Sequence, residues 1–390
     1  MTETLKTPYF LIKEELLNAN IQGFRGALNS IWPNSIIAYS VKTNSLPWIL
    51  RWMNEHGIYA EVVSDEEFQL AQLSGYAENN IVFNGPIKTD VYLKQAFEKG
   101  TFINIDSANE LEYIRREHPL IDGNIGIRIN VNPQIFNSED VGYQENGFRF
   151  GFSEENGELK AVIDFLHSIY GDISIGLHMH VNSITRSLNV YRAIAKYGAN
   201  IIRKYKITPS FVDMGGGFFG GVPGKPTPEE YIYEITNELK QAIDTMKTKL
   251  IIEPGSAAIG SAIELHTSVI DVKDTQHARI VTTDGSRIHI DPLWIKKGYM
   301  YSTDSSQPAY PKQIICGYTC MDHDRIMVLE NRPELTVGNR ITYHRVGNYT
   351  VTFGGPFIRP FPQVYVDNGN EIQLVRKMMT MTDYYRLETV

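Results

Sequence analysis

The sequence predicts an α/β chain whose larger part closes into a (β/α)₈ TIM-like barrel and whose remainder is a C-terminal β domain. Three observations carry this. From Asn34 to about Gly260, short runs rich in β-branched and apolar residues alternate with longer stretches of helical apolar spacing, about eight times over. Beyond about Ser261 the helical spacing stops, and strand-like runs follow one another, punctuated by Asp-Gly, Pro and Gly. The 390 residues, 42% hydrophobic and 21% charged, have ordinary globular composition and are long enough for two cores. An open doubly wound sheet is the alternative arrangement of the same alternation.

In chain order, the barrel strands are expected at 36–42, 59–63, 81–85, 102–107, 125–131, 174–181, 211–216 and 250–255. Segments 65–73, 91–99, 161–168, 187–204 and 228–246 carry helical spacing and no internal proline. In the second part, 264–272, 278–283, 287–290, 313–316, 340–344 and 364–366 read as strands. The run TPYFLI near the start stands outside the barrel rhythm and is expected to add a strand to the β domain. The domains are therefore a barrel over 30–262, and 1–29 together with 263–390.

A formal charge of −8 with no lysine- or arginine-rich run argues against a nucleic-acid or anionic-membrane surface. The first residues lack a signal-peptide core and no stretch is apolar enough to span a bilayer, so a soluble cytoplasmic protein is expected. Two cysteines, Cys316 and Cys320, make neither a disulfide framework nor a closed zinc site, and a reactive thiol is the more natural use.

Barrel chemistry sits at the C-terminal ends of the strands, and several unusual residues fall there. Lys42 closes the first expected strand, where a partly dry amine can form a Schiff base or simply reach solvent. Strand alternation puts His178 and His180 on one side of the sixth, followed by Ser183. Without a second cluster of ligand spacing, a ring-packed imidazole beside an anion-binding hydroxyl fits better than a metal. Gly215, Gly216 and Gly217 suit phosphate binding or a flexible turn. Glu253 precedes the small turn Gly255–Ser256. An amine for an aldehyde, two turns for a phosphate, an imidazole for a ring face and a carboxylate for a ring nitrogen together match pyridoxal 5′-phosphate.

In this order the motifs resemble the fold-type III pyridoxal-phosphate decarboxylases that include diaminopimelate and ornithine decarboxylases. The similarity runs over essentially the whole chain: AYSVKTN around Lys42, Ser64 with Glu67, residues 83–88 and 104–111, Phe148–Phe152, the His178, Gly215 and Glu253 motifs, residues 320–324, and Gly347-Asn348-Tyr349. The resemblance implies an α/β barrel followed by a β domain, as in alanine racemase and ornithine decarboxylase. It implies that Lys42 carries the cofactor aldehyde and yields it to the substrate amine. His180 would stack on the ring, Glu253 would bond the protonated ring nitrogen, and Ser183, Gly215–Gly217, Gly255, Ser256 and Tyr349 would hold the phosphate. It further implies a homodimer with shared active sites, in which Cys320 reaches in from the neighbouring subunit to protonate the carbanion. A carboxylate at the ring nitrogen keeps it protonated and makes a strong electron sink, which favours decarboxylation over the racemisation of relatives with arginine there.

The departures lie where that family reads its substrate. Ser256 stands where diaminopimelate decarboxylases have arginine, residues 291–297 hold no arginine, and Met321 replaces the acid after the cysteine. Asn182 replaces a glycine. Asp322, His323, Asp324, Lys296 and Lys297 are the residues that can substitute for the lost contacts. Losing a bidentate carboxylate partner and a paired acid should cost several kcal/mol for a substrate needing both. The expected reaction is release of CO2 from an α-amino acid head with a conjugated or modified tail, such as a siderophore (citryl-diamine) or other natural-product precursor. Diaminopimelate decarboxylation through altered contacts, racemisation, and a non-catalytic regulatory homologue are the alternatives. For Cys320 a small buried apolar role competes, for Tyr349 a core aromatic one. Cys316 is read as structural, and His178 either orients its neighbours or packs. No metal is expected.

Overall fold

Eight parallel strands close on themselves in the computed structural model, which describes residues 5–121, 124–353 and 355–387. In order they are Ser35–Ser40, Tyr59–Val62, Ile81–Phe83, Phe102–Ile105, Ile125–Asn130, Gly176–His178, Phe211–Asp213 and Lys249–Ile252. Each pairs in parallel with the next, and the eighth returns to the first through Leu250–Ser35, Ile251–Ile36 and Ile252–Ile37. The two compact units of the chain are Asn20–Ala258, which contains the barrel, and Met1–Ala19 with Ile259–Val390. The first division falls inside the helix Glu14–Ile31, earlier than the expected position 30. The later turns of that helix face the barrel unit, where the buried Phe24 ring lies 5.6 Å from Phe218.

The barrel interior is closed at its N-terminal end by aromatic packing. Phe211 is fully buried in a cluster with Ile36, Ala38, Val82, Phe102 and Ile251, and its ring meets Phe102 edge-on at 5.4 Å. Gly176 makes room for it on the neighbouring strand, since a Cβ there would lie 2.3 Å from the ring. The helices between strands start on sequence-coded caps. Ser64 accepts from the Glu67 N–H, and Thr227 and Glu230 form a reciprocal capping box before Pro228.

The second unit is a β structure. Tyr9–Lys13 pairs antiparallel with Ile263–Asp274 and parallel with Gln363–Asp367. Ile263–Asp274 also pairs with Arg279–Thr283 and Arg340–His344. Ala309–Cys316 joins Arg279–Thr283 in parallel and Arg325–Pro333 antiparallel. One expected strand is instead a single helical turn, Arg287–Ile290. The Ser286 side chain caps it by accepting from the Ile288 N–H, and the Arg287 N–H donates to Asp324, so the backbone groups a ladder needs are spent. Among the described residues no helix is long and apolar enough to cross a membrane.

Candidate active site

Every strand of the barrel delivers a polar side chain at or just past its C-terminal end, into or beneath a cavity of about 870 Å³. Lys42 stands in the single 3₁₀ turn Val41–Thr43 after the first strand. Its Nζ donates to Glu61 at 2.6 Å, and Glu61, fully buried on the second strand, also accepts from Ser40 Oγ at 2.5 Å and Asn84 Nδ2 at 3.1 Å. Burial pushes the Glu61 carboxyl up, but the Lys42 ammonium and these hydrogen bonds outweigh it, and the net shift is downward. Glu61 is therefore held ionised against the amine.

Asn84, after the third strand, bridges two acids, since its Nδ2 also donates to Glu253 at 2.6 Å. Asn104 on the fourth strand donates to Asn84 Oδ1 at 2.8 Å and to Asp213 at 3.1 Å. Asp213 on the seventh strand and Glu253 after the eighth are both buried and hydrogen-bonded to each other. Burial, opposed by hydrogen bonds from Glu253 and the Gly215 N–H, raises the Asp213 carboxyl to about 7. Burial and then the Asp213 charge push Glu253 well above the carboxylate range. Two acids in contact in a dry site share a proton. His178 brings a ring nitrogen within 4.8 Å of both.

His178 and His180 do not continue one strand, because pairing stops at His178. His178 is buried with neither ring nitrogen hydrogen-bonded, and burial, then Arg128, drives its pKa well down. Burial followed by the Arg128 and Lys42 charges pushes His180 down to about 3, so its ring is a neutral, flat surface on the cavity wall. The glycine turn is built against it. Gly215 has φ +64 and a Cβ there would sit 2.5 Å from His180 Nδ1, while a Cβ on Gly216 would meet the Glu253 carbonyl at 2.3 Å. Only glycine permits that approach.

Several expected phosphate contacts are already spent. The Ser183 hydroxyl donates to the Asp140 carbonyl and accepts from the Arg186 N–H, closing its own loop. The Gly215 N–H donates to Asp213 and the Gly255 N–H to the Glu253 carbonyl. Lys42, His180 and Glu253 line the cavity, whereas Ser183, Gly215, Gly216, Gly217, Gly255, Ser256 and Tyr349 are not among its lining residues. The residues present fit a flat aromatic aldehyde: an amine on an ionised acid, a neutral imidazole face and a proton-holding carboxyl, with a glycine turn packed directly behind the last two.

In the β unit, Cys320 is exposed on the turn after Ala309–Cys316, whereas burial raises the thiol of Cys316. Asp324 builds that turn. Fully inside, it accepts from Ser286 Oγ, the Arg287 N–H and Thr319 Oγ1 at 2.7–2.9 Å. This corrects the expectation that Asp324 meets substrate. Met321 is half-buried, Asp322 is exposed, and His323 lies against Trp294 with ring centroids 4.6 Å apart. Lys296 is partly exposed: its amine donates to the Ile290 carbonyl, and burial lowers its pKa. Residues 291–297 hold no arginine, but Arg287 reaches them from one helical turn away, donating to Asp291 at 2.8 and 3.0 Å and to the Lys296 carbonyl. Tyr349 is exposed with φ +55.

Sequence reasoning passed over Glu61, Asn84, Asn104, Arg128 and Asp213 as individual site residues. Their signal was an ionisable or amide side chain inside or closing an otherwise apolar strand, where burial forces a partner.

Residues 17–260 match the family model described as the pyridoxal binding domain of pyridoxal-dependent decarboxylases. A diaminopimelate decarboxylase of Archaeoglobus fulgidus is 26% identical over 88% of this chain and 83% of its own. The L-glutamyl-[BtrI acyl-carrier protein] decarboxylase of Niallia circulans is also 26% identical, over 98% of this chain and 94% of its own. Among solved structures, diaminopimelate decarboxylase from M. jannaschii in complex with L-lysine superposes with a TM-score of 0.84, at 23% identity, over 98% of this chain and 92% of that one.

Proposed function

The chain belongs to the pyridoxal-dependent decarboxylases, amino-acid carboxy-lyases that use pyridoxal 5′-phosphate, and from this we propose that it removes CO2 from an α-amino acid head whose far end is masked or conjugated. The observation that carries the tail assignment is the outer wall of the cavity. Its acids, Glu61 and Glu253, lie deep and are engaged with Lys42, Asn84 and Asp213. The rest of the lining that one subunit supplies includes Val131, Tyr143, Phe148, Arg149, Phe150 and Asn182, and among the described residues of that subunit it adds no carboxylate to Glu61 and Glu253 for a free distal amine. At about 870 Å³ the cavity is near the upper end for small-molecule sites, with room for a substrate tail beside a cofactor. Ser256 and Met321, in place of the family's arginine and acid, point the same way. A relative of comparable similarity is named for an amino acid carried on a protein, which is one form of conjugation.

When bound, the cofactor supplies the electron sink for the bond to the departing carboxylate. The protein's own residues do the rest. Lys42 offers the amine that holds the aldehyde, and Glu61 keeps that amine in place. Glu253 would face the ring nitrogen and, with Asp213, would hold the proton there. His180 would cover one ring face, and its neutrality would spare it the cost of desolvating a charge. The Gly216, Gly217 and Ser256 backbone and Tyr349 would hold the phosphate, and Cys320 of a second subunit in a homodimer would return the proton.

One panel tests this: CO2 release from free meso-diaminopimelate, ornithine and lysine beside their Nε- or Nδ-acyl and citryl conjugates, with Lys42→Ala as the blank. Conjugates should turn over at least tenfold faster. Equal or better turnover of free meso-diaminopimelate sinks the tail assignment and leaves the decarboxylase.

A further inference from the structure

The glycine turn behind His180 and Glu253 is held in part by a buried tyrosine. Its first peptide plane is fixed by backbone, since the Gly215 carbonyl accepts from the Glu253 N–H at 2.8 Å. Its second is fixed by a side chain: the Gly216 carbonyl accepts from the Tyr191 hydroxyl at 3.0 Å. In a trans peptide the carbonyl and the next residue's N–H point in opposite directions. The Glu253 N–H therefore sets the direction of the Gly216 N–H, and the Tyr191 hydroxyl sets that of the Gly217 N–H. The approach is close, because a Cβ on Gly217, whose φ is +87, would lie 3.0 Å from the Tyr191 oxygen. Gly216 is buried and Gly217 half-buried, so the plane that Tyr191 holds is the one where the turn comes up to the surface.

Tyr191 is itself fixed by its neighbours. It stands on the helix Leu188–Tyr205 at 2% exposure, stacked on Phe218 with ring centroids 4.7 Å apart and meeting the Tyr231 ring edge-on at 4.8 Å. Tyr231, on the helix Pro228–Leu239, is fully buried and meets Phe218 edge-on at 5.1 Å. The two hydroxyls serve different loops. That of Tyr231 donates to the Arg186 carbonyl at 2.6 Å and accepts from the Phe219 N–H at 3.4 Å, so it steadies the loop whose Ser183 hydroxyl is already spent. Burial holds the Tyr191 phenol well above its ordinary pKa, which keeps it a donor. All three rings lie inside one chain, where a second subunit does not reach them.

We propose that Tyr191 is a positioning residue for the cofactor's phosphate: through the Gly216 carbonyl, its hydroxyl aims the Gly217 N–H at that group. This rests on the reading above that the Gly216 and Gly217 backbone holds the phosphate, and it names the side chain that shapes that backbone. An N–H already held in the direction of an anion loses little freedom on binding, and a hydrogen bond to an anion is stronger than a neutral one. Without the hydroxyl, the buried Gly216 carbonyl loses its partner, and the plane between two glycines turns easily because neither has a Cβ to resist.

The test uses the full-length chain stripped of cofactor and titrated with pyridoxal 5′-phosphate and with pyridoxal, which lacks the phosphate. Binding of each is read from the visible absorption of the bound aldehyde, and the ratio of the two dissociation constants is the phosphate advantage. Tyr191→Phe keeps the ring and removes the hydroxyl; it should cut that advantage about fivefold or more, with pyridoxal binding changed less than about twofold. Tyr231→Phe removes the same atom from the same cluster and should change the advantage less than about twofold, although urea midpoints of the two variants fall alike. An advantage that survives Tyr191→Phe, equal weakening of both ligands in that variant, or an equal loss of advantage in Tyr231→Phe makes the hydroxyl a piece of packing and overturns the proposal alone. A wild-type chain with no phosphate advantage overturns the glycine-turn reading together with it.

Discussion

Replacing Asp213 by asparagine should make the cofactor-free protein more stable in mild base and change little in mild acid. Asp213 is fully buried, with its carboxyl raised from 3.8 to about 7, first by burial. A carboxyl whose folded pKa is raised contributes stability that is fully present below its unfolded pKa and is lost as pH rises through the folded value. Ionising it inside the folded protein costs about 4 kcal/mol at pH 8.5, from the gap between those values at 1.36 kcal/mol per pH unit. Asparagine never ionises, so it avoids that cost. It can keep the bond from the Gly215 N–H, but its amide opposes the Asn104 amide, a loss of about 1 kcal/mol. The expected net gain is about 3 kcal/mol at pH 8.5 and under about 1 kcal/mol at pH 5, where the wild-type carboxyl is protonated in the fold. His180, driven down to about 3, works in the opposite sense, its contribution vanishing as pH falls, but it is common to both proteins and cancels in the difference. Urea unfolding of both proteins at the two pH values, after cofactor removal, measures that difference. Equal pH dependence in wild type and Asp213→Asn would refute the shared proton beneath Glu253.

Phe211→Ala empties the barrel's aromatic plug and should cost about 3–5 kcal/mol, read as a lower urea midpoint at unchanged m. Gly151→Ala forces a side chain into left-handed backbone against the Arg128 carbonyl and should cost about 2–4 kcal/mol by the same assay. Glu61→Gln removes the ionised partner of Lys42, and capture of added pyridoxal phosphate by cofactor-free protein should slow at least tenfold, followed by visible absorption. Wild-type capture rates in that variant would remove Glu61 from the site.

The barrel was legible because its strands are buried on both faces and read as apolar runs. Their ends were read too long for the same reason. Expected strands ran to 42, 85, 107, 181, 216 and 255, whereas pairing stops at Ser40, Phe83, Ile105, His178, Asp213 and Ile252. Val41, Asn84, Met179 and Met214 past those ends are as buried as the strands themselves. Asn84, Met179 and Met214 still donate one backbone bond each to the neighbouring strand, at Val62, Asp213 and Ile251, so the ladder fades over a residue or two, which apolar patterning, a report of burial, cannot resolve. The Arg287–Ile290 turn failed differently: four residues carry no usable period, and its decisive partner, Asp324, is far along the chain.

The same asymmetry governs the site. Lys42, His180 and Glu253 announce themselves because each interrupts an apolar run with a group whose burial demands chemistry, and a motif order frames them. Glu61, Asn84 and Asp213 interrupt apolar runs too, yet their meaning is relational: Glu61 matters as the partner of Lys42, Asp213 as the co-holder of a proton with Glu253, and Asn84 as the amide joining both pairs.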